Sequence, residues 1–101
     1  MSDRNLQELR RRIDELNVEI LALVQERADV VLQIARLKEE MDIDGFDPRR
    51  EEEMLRKLTR PGSGPFGPAE VEAIFRSIFQ ASLALQEQAR DDSSAARKRP
   101  A

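Results

Sequence analysis

Four places in this chain of 101 residues set charged or polar side chains where packing should be dry. The first is Arg27. Leu6, Leu9, Ile13, Leu16, Ile20, Leu23, Arg27, Val30, Ile34, Leu37 and Met41 follow one another in steps of three and four, the apolar seam of a long helix packing on other helices. A guanidinium in that seam needs a counter-charge or several acceptors, because a desolvated charge left alone is costly. Arg27 therefore points to something anionic inside a bundle. Lys38 comes eleven residues later, which returns it to within about 20° of the same face and about 16 Å along the axis. Both side chains are long enough to lean toward one small molecule between them. Ser82 and Gln86 continue the stripe of Phe75 and Phe79 in steps of four, three and four. A buried hydroxyl or amide without a partner costs about 1–3 kcal/mol, so these too ask for a ligand or a neighbour. Asp47, Arg50 and Glu51 fall on or beside the face shared by Met54 and Leu58. Arg10 precedes Arg27 by 17 residues, about 25 Å, and points about 100° away around the helix. It cannot meet the ligand of its own Arg27, but in an antiparallel dimer it reaches the ligand of its partner.

Each of these residues taken alone has a plainer reading. A seam arginine pairs with a buried glutamate of a neighbouring helix, and Lys38 snorkels to solvent. Ser82 bonds back to its own helical turn, Gln86 is partly exposed near a helix end, and Asp47 is an N-cap. The run RREEE at 49–53 is a solvated face. The plain readings weaken when the residues are taken together, on three helices in order.

Composition narrows the chemistry. There is no Cys and no His, so thiol nucleophiles, thiolate metal sites and imidazole general bases are excluded. Net charge is −3, with no Trp or Tyr and four Phe; a basic face interleaved with stacking aromatics is absent, which argues against nucleic acid. The N-terminus MSDRN carries no basic-then-apolar leader, and no apolar run approaches the ~18–20 residues of a membrane span. A soluble cytoplasmic protein is expected.

The elements that must position these side chains are helices. Charged residues make up 37% of the chain and apolar residues 40%, a helical composition with little Gly or Pro. Ser2 or Asp3 caps a first helix, with Asn5 and Glu8 as a second capping-box pair; it runs to about 41 and ends near Asp42 to Gly45. Asp47-Pro48 restarts a helix, with Asp as cap and Pro in the first turn, running to about Arg60. PGSGPFGP (61–68) is a loop, and Pro68 opens the third helix, striped by Val71, Ile74, Phe75, Ile78, Phe79, Leu83 and Leu85. After Gln86 the stripe fades into a polar tail expected to be disordered. The expected domains are 1–90, folded, and 91–101, a tail or linker. A first helix about 55–60 Å long is about twice the diameter of a compact monomer of this size. The expected fold is therefore all-α, with one long and two shorter helices per chain in an intertwined helical-bundle homodimer.

LRRRIDELNVEILALVQER (9–27), LK (37–38), FDPRRE (46–51) and SLALQ (82–86) together resemble the all-helical chorismate mutase family, over residues 6–88. The stretch 64–87 further resembles mutase domains fused to bacterial heptulosonate-phosphate synthases. The resemblance implies conversion of chorismate to prephenate, without metal or cofactor, at sites shared between the two chains. It implies that Arg10 of the partner chain and Arg27 bind the substrate carboxylates, that Lys38 and Gln86 donate to the ether oxygen, and that Glu51 accepts from the ring hydroxyl. Asp47 lies close by, Ser82 contacts a carboxylate, and Arg50 orients the acidic groups around it. Three rivals stand beside this. An isochorismate-pyruvate lyase of the same fold is opposed by Glu51. A chorismate- or prephenate-sensing module for a synthase domain does not exclude catalysis. A coiled-coil scaffold leaves Arg27, Ser82 and Gln86 unexplained.

Overall fold

A computed structural model describes residues 3–43, 47–60, 62 and 64–98, with side chains to residue 93. It consists of α1 (Asp3–Glu40), α2 (Pro48–Leu58) and α3 (Pro68–Lys98), and no strand occurs among the described residues. The chain divides into two units, residues 1–30 and 31–101.

The first unit is the N-terminal three-quarters of α1, a single helix with its seam laid open. Leu9 is 64% and Leu23 66% exposed, while Leu16 and Arg27 are half-buried. Val18 and Leu21 are exposed as well but lie about 180° and 120° around the helix from Arg27. With Val24 and Ala28 between, the apolar surface of α1 extends beyond the strict seam, wider than one apposed helix covers.

The second unit contains the end of α1 with α2 and α3. α1 stops in a Schellman arrangement: Asp42 N–H donates to Glu39 O at 3.1 Å and Ile43 N–H to Lys38 O at 2.8 Å, closing the last carbonyls. Asp42 takes φ +56° to do so, a left-handed conformation in which Gly is the usual occupant. Ser2 and Gly45, expected at the two ends of this helix, lie outside the described residues. At α2, the Asp47 carboxylate accepts from Arg50 N–H at 3.2 Å with Pro48 in the first turn, as its sequence dictates. Thr59 closes the other end, its N–H and Oγ1 donating to Leu55 O at 2.9 and 2.7 Å.

α2 packs on α3. Val31, Leu55 and Phe79 are the buried apolar residues among those described, and the Phe75 and Phe79 rings meet at 6.3 Å between centroids, tilted by 56°. Arg76 of α3 ties the pair from outside, donating to Glu52 of α2 at 3.2 Å and to Glu72 at 2.7 Å. Those bonds, to Glu72 above all, raise the proton affinity of Arg76.

One boundary departs from the sequence expectation. α3 does not fade after Gln86 into a disordered tail from 91 but stays helical to Lys98, 31 residues in all, so it is nearly as long as the 38 residues of α1. The reason is local: EQARDDSSAARK (87–98) contains neither Gly nor Pro and is rich in Ala, Gln, Glu, Arg and Lys, which favour helix even without an apolar face.

Candidate active site

Lys38 lies in the last turn of α1, beside the seam residue Leu37, and the 3–4 stripe of α3 carries Gln86 to the same groove. Both are half-buried and both line one groove of about 880 Å³ in the second unit. Leu32 and Ala35 of α1 and Leu83 and Leu85 of α3 supply its apolar wall. Its volume falls in the range of small-molecule sites, and apolar walls with a few convergent polar groups are their usual lining. Lys38 brings three donors on a fixed charge, Gln86 two amide donors and one acceptor. Two donors that line one space from separate helices are the kind of pair that can hold an oxygen.

The other expected residues are distributed as follows. Ser82 is half-buried on α3, and its hydroxyl donates to Ile78 O at 2.8 Å, the back-bond of a helical serine. Asp47 and Arg50 are exposed at the start of α2, where Asp47 serves as cap. Glu51 is half-buried in the first turn of the same helix. None of these four lines the groove of Lys38 and Gln86. Arg10, exposed, and Arg27, half-buried, lie on the first unit.

The groove also holds groups that the sequence alone did not single out. Arg36 and Arg90 add cations to Lys38, and Glu39, Asp42, Glu87 and Asp92 add carboxylates. Ser93 lies at its far end, its hydroxyl donating to Glu39 Oε1 at 3.0 Å. A signal for Ser93 was present: the stripe Phe75, Phe79, Ser82, Gln86 continues through Ala89 to Ser93 in further steps of three and four. Small side chains hid it. A smaller hollow of about 180 Å³ in the second unit lies where the α2–α3 loop meets Leu58 and Val71. Arg60 is the ionisable residue on its lining, too little charge for a dianion. Among the described residues no group of three or more acidic, His or Cys side chains is placed to hold a metal ion. No described helix is long and apolar enough to cross a membrane.

Residues 9–87 match the family described as chorismate mutase type II. The bifunctional chorismate mutase/prephenate dehydratase of Pseudomonas aeruginosa is 34% identical over 93 residues, covering 86% of this chain and 26% of that protein. The chain thus spans about a quarter of the length of such bifunctional relatives. The chorismate mutase of Methanocaldococcus jannaschii is 36% identical over 58 residues, 54% of this chain and 59% of that one. Among solved structures, a chorismate mutase from Thermus thermophilus superposes with a TM-score of 0.79 at 44% identity, covering 82% of this chain and 94% of that one.

Proposed function

The chain belongs to the chorismate mutase type II family, and from that premise we propose that it rearranges chorismate to prephenate in aromatic amino acid biosynthesis. The observation that carries the proposal is the pairing of Lys38 and Gln86, from two helices, on one groove. The reaction is a pericyclic shift in which an ether C–O bond breaks as a C–C bond forms. It needs no proton transfer and no covalent intermediate, and so no His or Cys, of which the chain has none. Holding the enolpyruvyl arm over the ring is an orientation effect. Lys38 and Gln86 donate to the ether oxygen as charge grows there, which favours the transition state over the bound substrate. Arg27, with Arg10 of a second copy, neutralises the two carboxylates, and Ser82 turns its hydroxyl from Ile78 O toward a carboxylate. Glu51 accepts from the ring hydroxyl, Asp47 lies beside it, and Arg50 orients both acids. An acceleration of about 10⁶-fold amounts to about 8 kcal/mol of barrier, within reach of orientation plus two such donors.

The working form we propose is an intertwined homodimer, residues 1–90 forming the mutase domain, in the cytoplasm. What supports the dimer is the open seam of α1, whose Leu6, Leu9, Ile13, Ile20, Leu23, Val30, Ile34 and Leu37 are all exposed in the single chain. A further association, with a second enzyme of the pathway, has the bifunctional relatives in its favour. Their names join the mutase to a prephenate dehydratase, whereas residues 64–87 suggested a heptulosonate-phosphate synthase. A sensing role beside catalysis is compatible with either. The test is direct: purified protein is mixed with chorismate, and loss of chorismate absorbance is followed with prephenate as product. A well-folded dimer that leaves chorismate at its spontaneous rate overturns the proposal.

A further inference from the structure

The groove is crossed by a tie between residues 54 positions apart: Ser93 Oγ of α3 donates to Glu39 Oε1 of α1 at 3.0 Å. Both residues are half-buried and both line the groove. Their places in the sequence matter as much as the bond. Glu39 adjoins Lys38 in the last turn of α1. Ser93 follows Gln86 by seven residues, two turns on and within about 20° of the same face. The tie therefore joins the turn that carries one proposed donor to the helix face that carries the other.

The part of α3 concerned needs such a tie. Glu87, Gln88, Arg90, Asp91 and Asp92 are exposed, and Ala89 and Ser93 alone turn a half-buried surface inward between 87 and 93. A helix end with so little apolar burial opens readily. Opening there would let Gln86 drift relative to Lys38, and a donor displaced by about 1 Å can cost about 100-fold in rate. A hydroxyl given to a carboxylate is one of the stronger single bonds available to resist this.

We propose that Glu39 and Ser93 form a latch that fixes the separation of Lys38 and Gln86, so that Glu39 and Ser93 are positioning residues for the rearrangement. The inference rests on the assignment of Lys38 and Gln86 as donors to the ether oxygen. Ser93→Ala is expected to lower kcat roughly tenfold to a hundredfold, the worth of one charge-assisted hydrogen bond, while KM moves less than about twofold because the carboxylate-binding arginines are untouched. Ser93→Thr, which keeps the hydroxyl, restores kcat. Adding Ser93→Ala to Glu39→Ala is expected to cost no further kcat, since the bond is already gone. Amide hydrogen exchange, read on the same dimeric proteins, accelerates over 87–98 in Ser93→Ala and not over 3–30.

The outcomes separate cleanly. Wild type without mutase activity removes the functional assignment and the positioning role with it. Active wild type with full kcat in Ser93→Ala overturns the latch and leaves Lys38 and Gln86 as assigned. Faster exchange over 87–98 with unchanged kcat makes the bond a helix staple only, which overturns the proposal equally.

Discussion

Replacing Leu23 by Asp tests the dimer at its seam. Leu23 is 66% exposed in the single chain, one helical turn before Arg27. Complete burial of a leucine side chain stabilises by about 1.5–3 kcal/mol, so covering the remaining two-thirds gives about 1–2 kcal/mol per chain. A two-fold interface uses the same residue twice, which doubles this to about 2–4 kcal/mol for the dimer. Loss of that term alone weakens association about 30- to 700-fold, at about 1.4 kcal/mol per factor of ten. The buried carboxylate adds a further penalty. Gln25 provides the control, because it is already polar and exposed and lies about 160° from Arg27; Gln25→Ala should leave the dimer intact. Sedimentation equilibrium over a wide concentration range, with helicity by circular dichroism, reads both variants. A Leu23→Asp protein that is as dimeric as wild type would refute the seam as the contact. Equal weakening by Gln25→Ala would refute the argument from face and period.

Three further outcomes are expected. Chains carrying Arg10→Ala or Arg27→Ala should each lose nearly all mutase activity as dimers, and mixing them should restore part of it in heterodimers; verified subunit exchange without recovery counts against a site shared between copies. Gln86 donates at any pH, whereas a glutamate there donates only when protonated, so Gln86→Glu should be active only toward acidic pH, and a flat pH–rate profile would undo the ether-oxygen assignment. Asp42→Gly should raise stability by about 0.5–1 kcal/mol, because Asp42 holds φ +56° where a side chain is disfavoured; a thermal melt that moves down would show the Asp42 side chain to be worth more than that strain.

What the sequence discloses and what it hides follow from the range of each interaction. The starts of α2 and α3 are legible because Asp47-Pro48 and Pro68 act within one turn of themselves, and the structure begins both helices there. That Lys38 and Gln86 line one groove is foreshadowed because helical periodicity gives each polar residue a face, Lys38 returning near that of Arg27 and Gln86 continuing the stripe of Phe75 and Phe79. The persistence of α3 to Lys98 is hidden because a fading apolar stripe looks like a fading helix, although Ala, Arg and Gln hold helix through propensity alone. Ser93 is hidden for the same reason, and Glu39 because its role depends on a partner 54 residues away. Asp42 does not announce itself as the left-handed residue, since the neighbouring DIDG offers a glycine that would ordinarily take that place.

A chain with no imidazole and no thiol can still accelerate a reaction if the reaction asks only for geometry and fixed charge. That requirement explains why polar groups stand on the faces that hold the helices together. A donor on a solvated loop loses most of its pull to water and to its own motion, while one held in a packed turn is screened less and is already oriented. Placing donors on packing faces sacrifices apolar contact at each such position. With Val31, Leu55 and Phe79 as the buried apolar residues among those described in one chain, little core is left to absorb that loss. In the homodimer proposed above a second copy on the α1 seam would restore it, so polar groups on packing faces and the need for a partner would be two consequences of one arrangement.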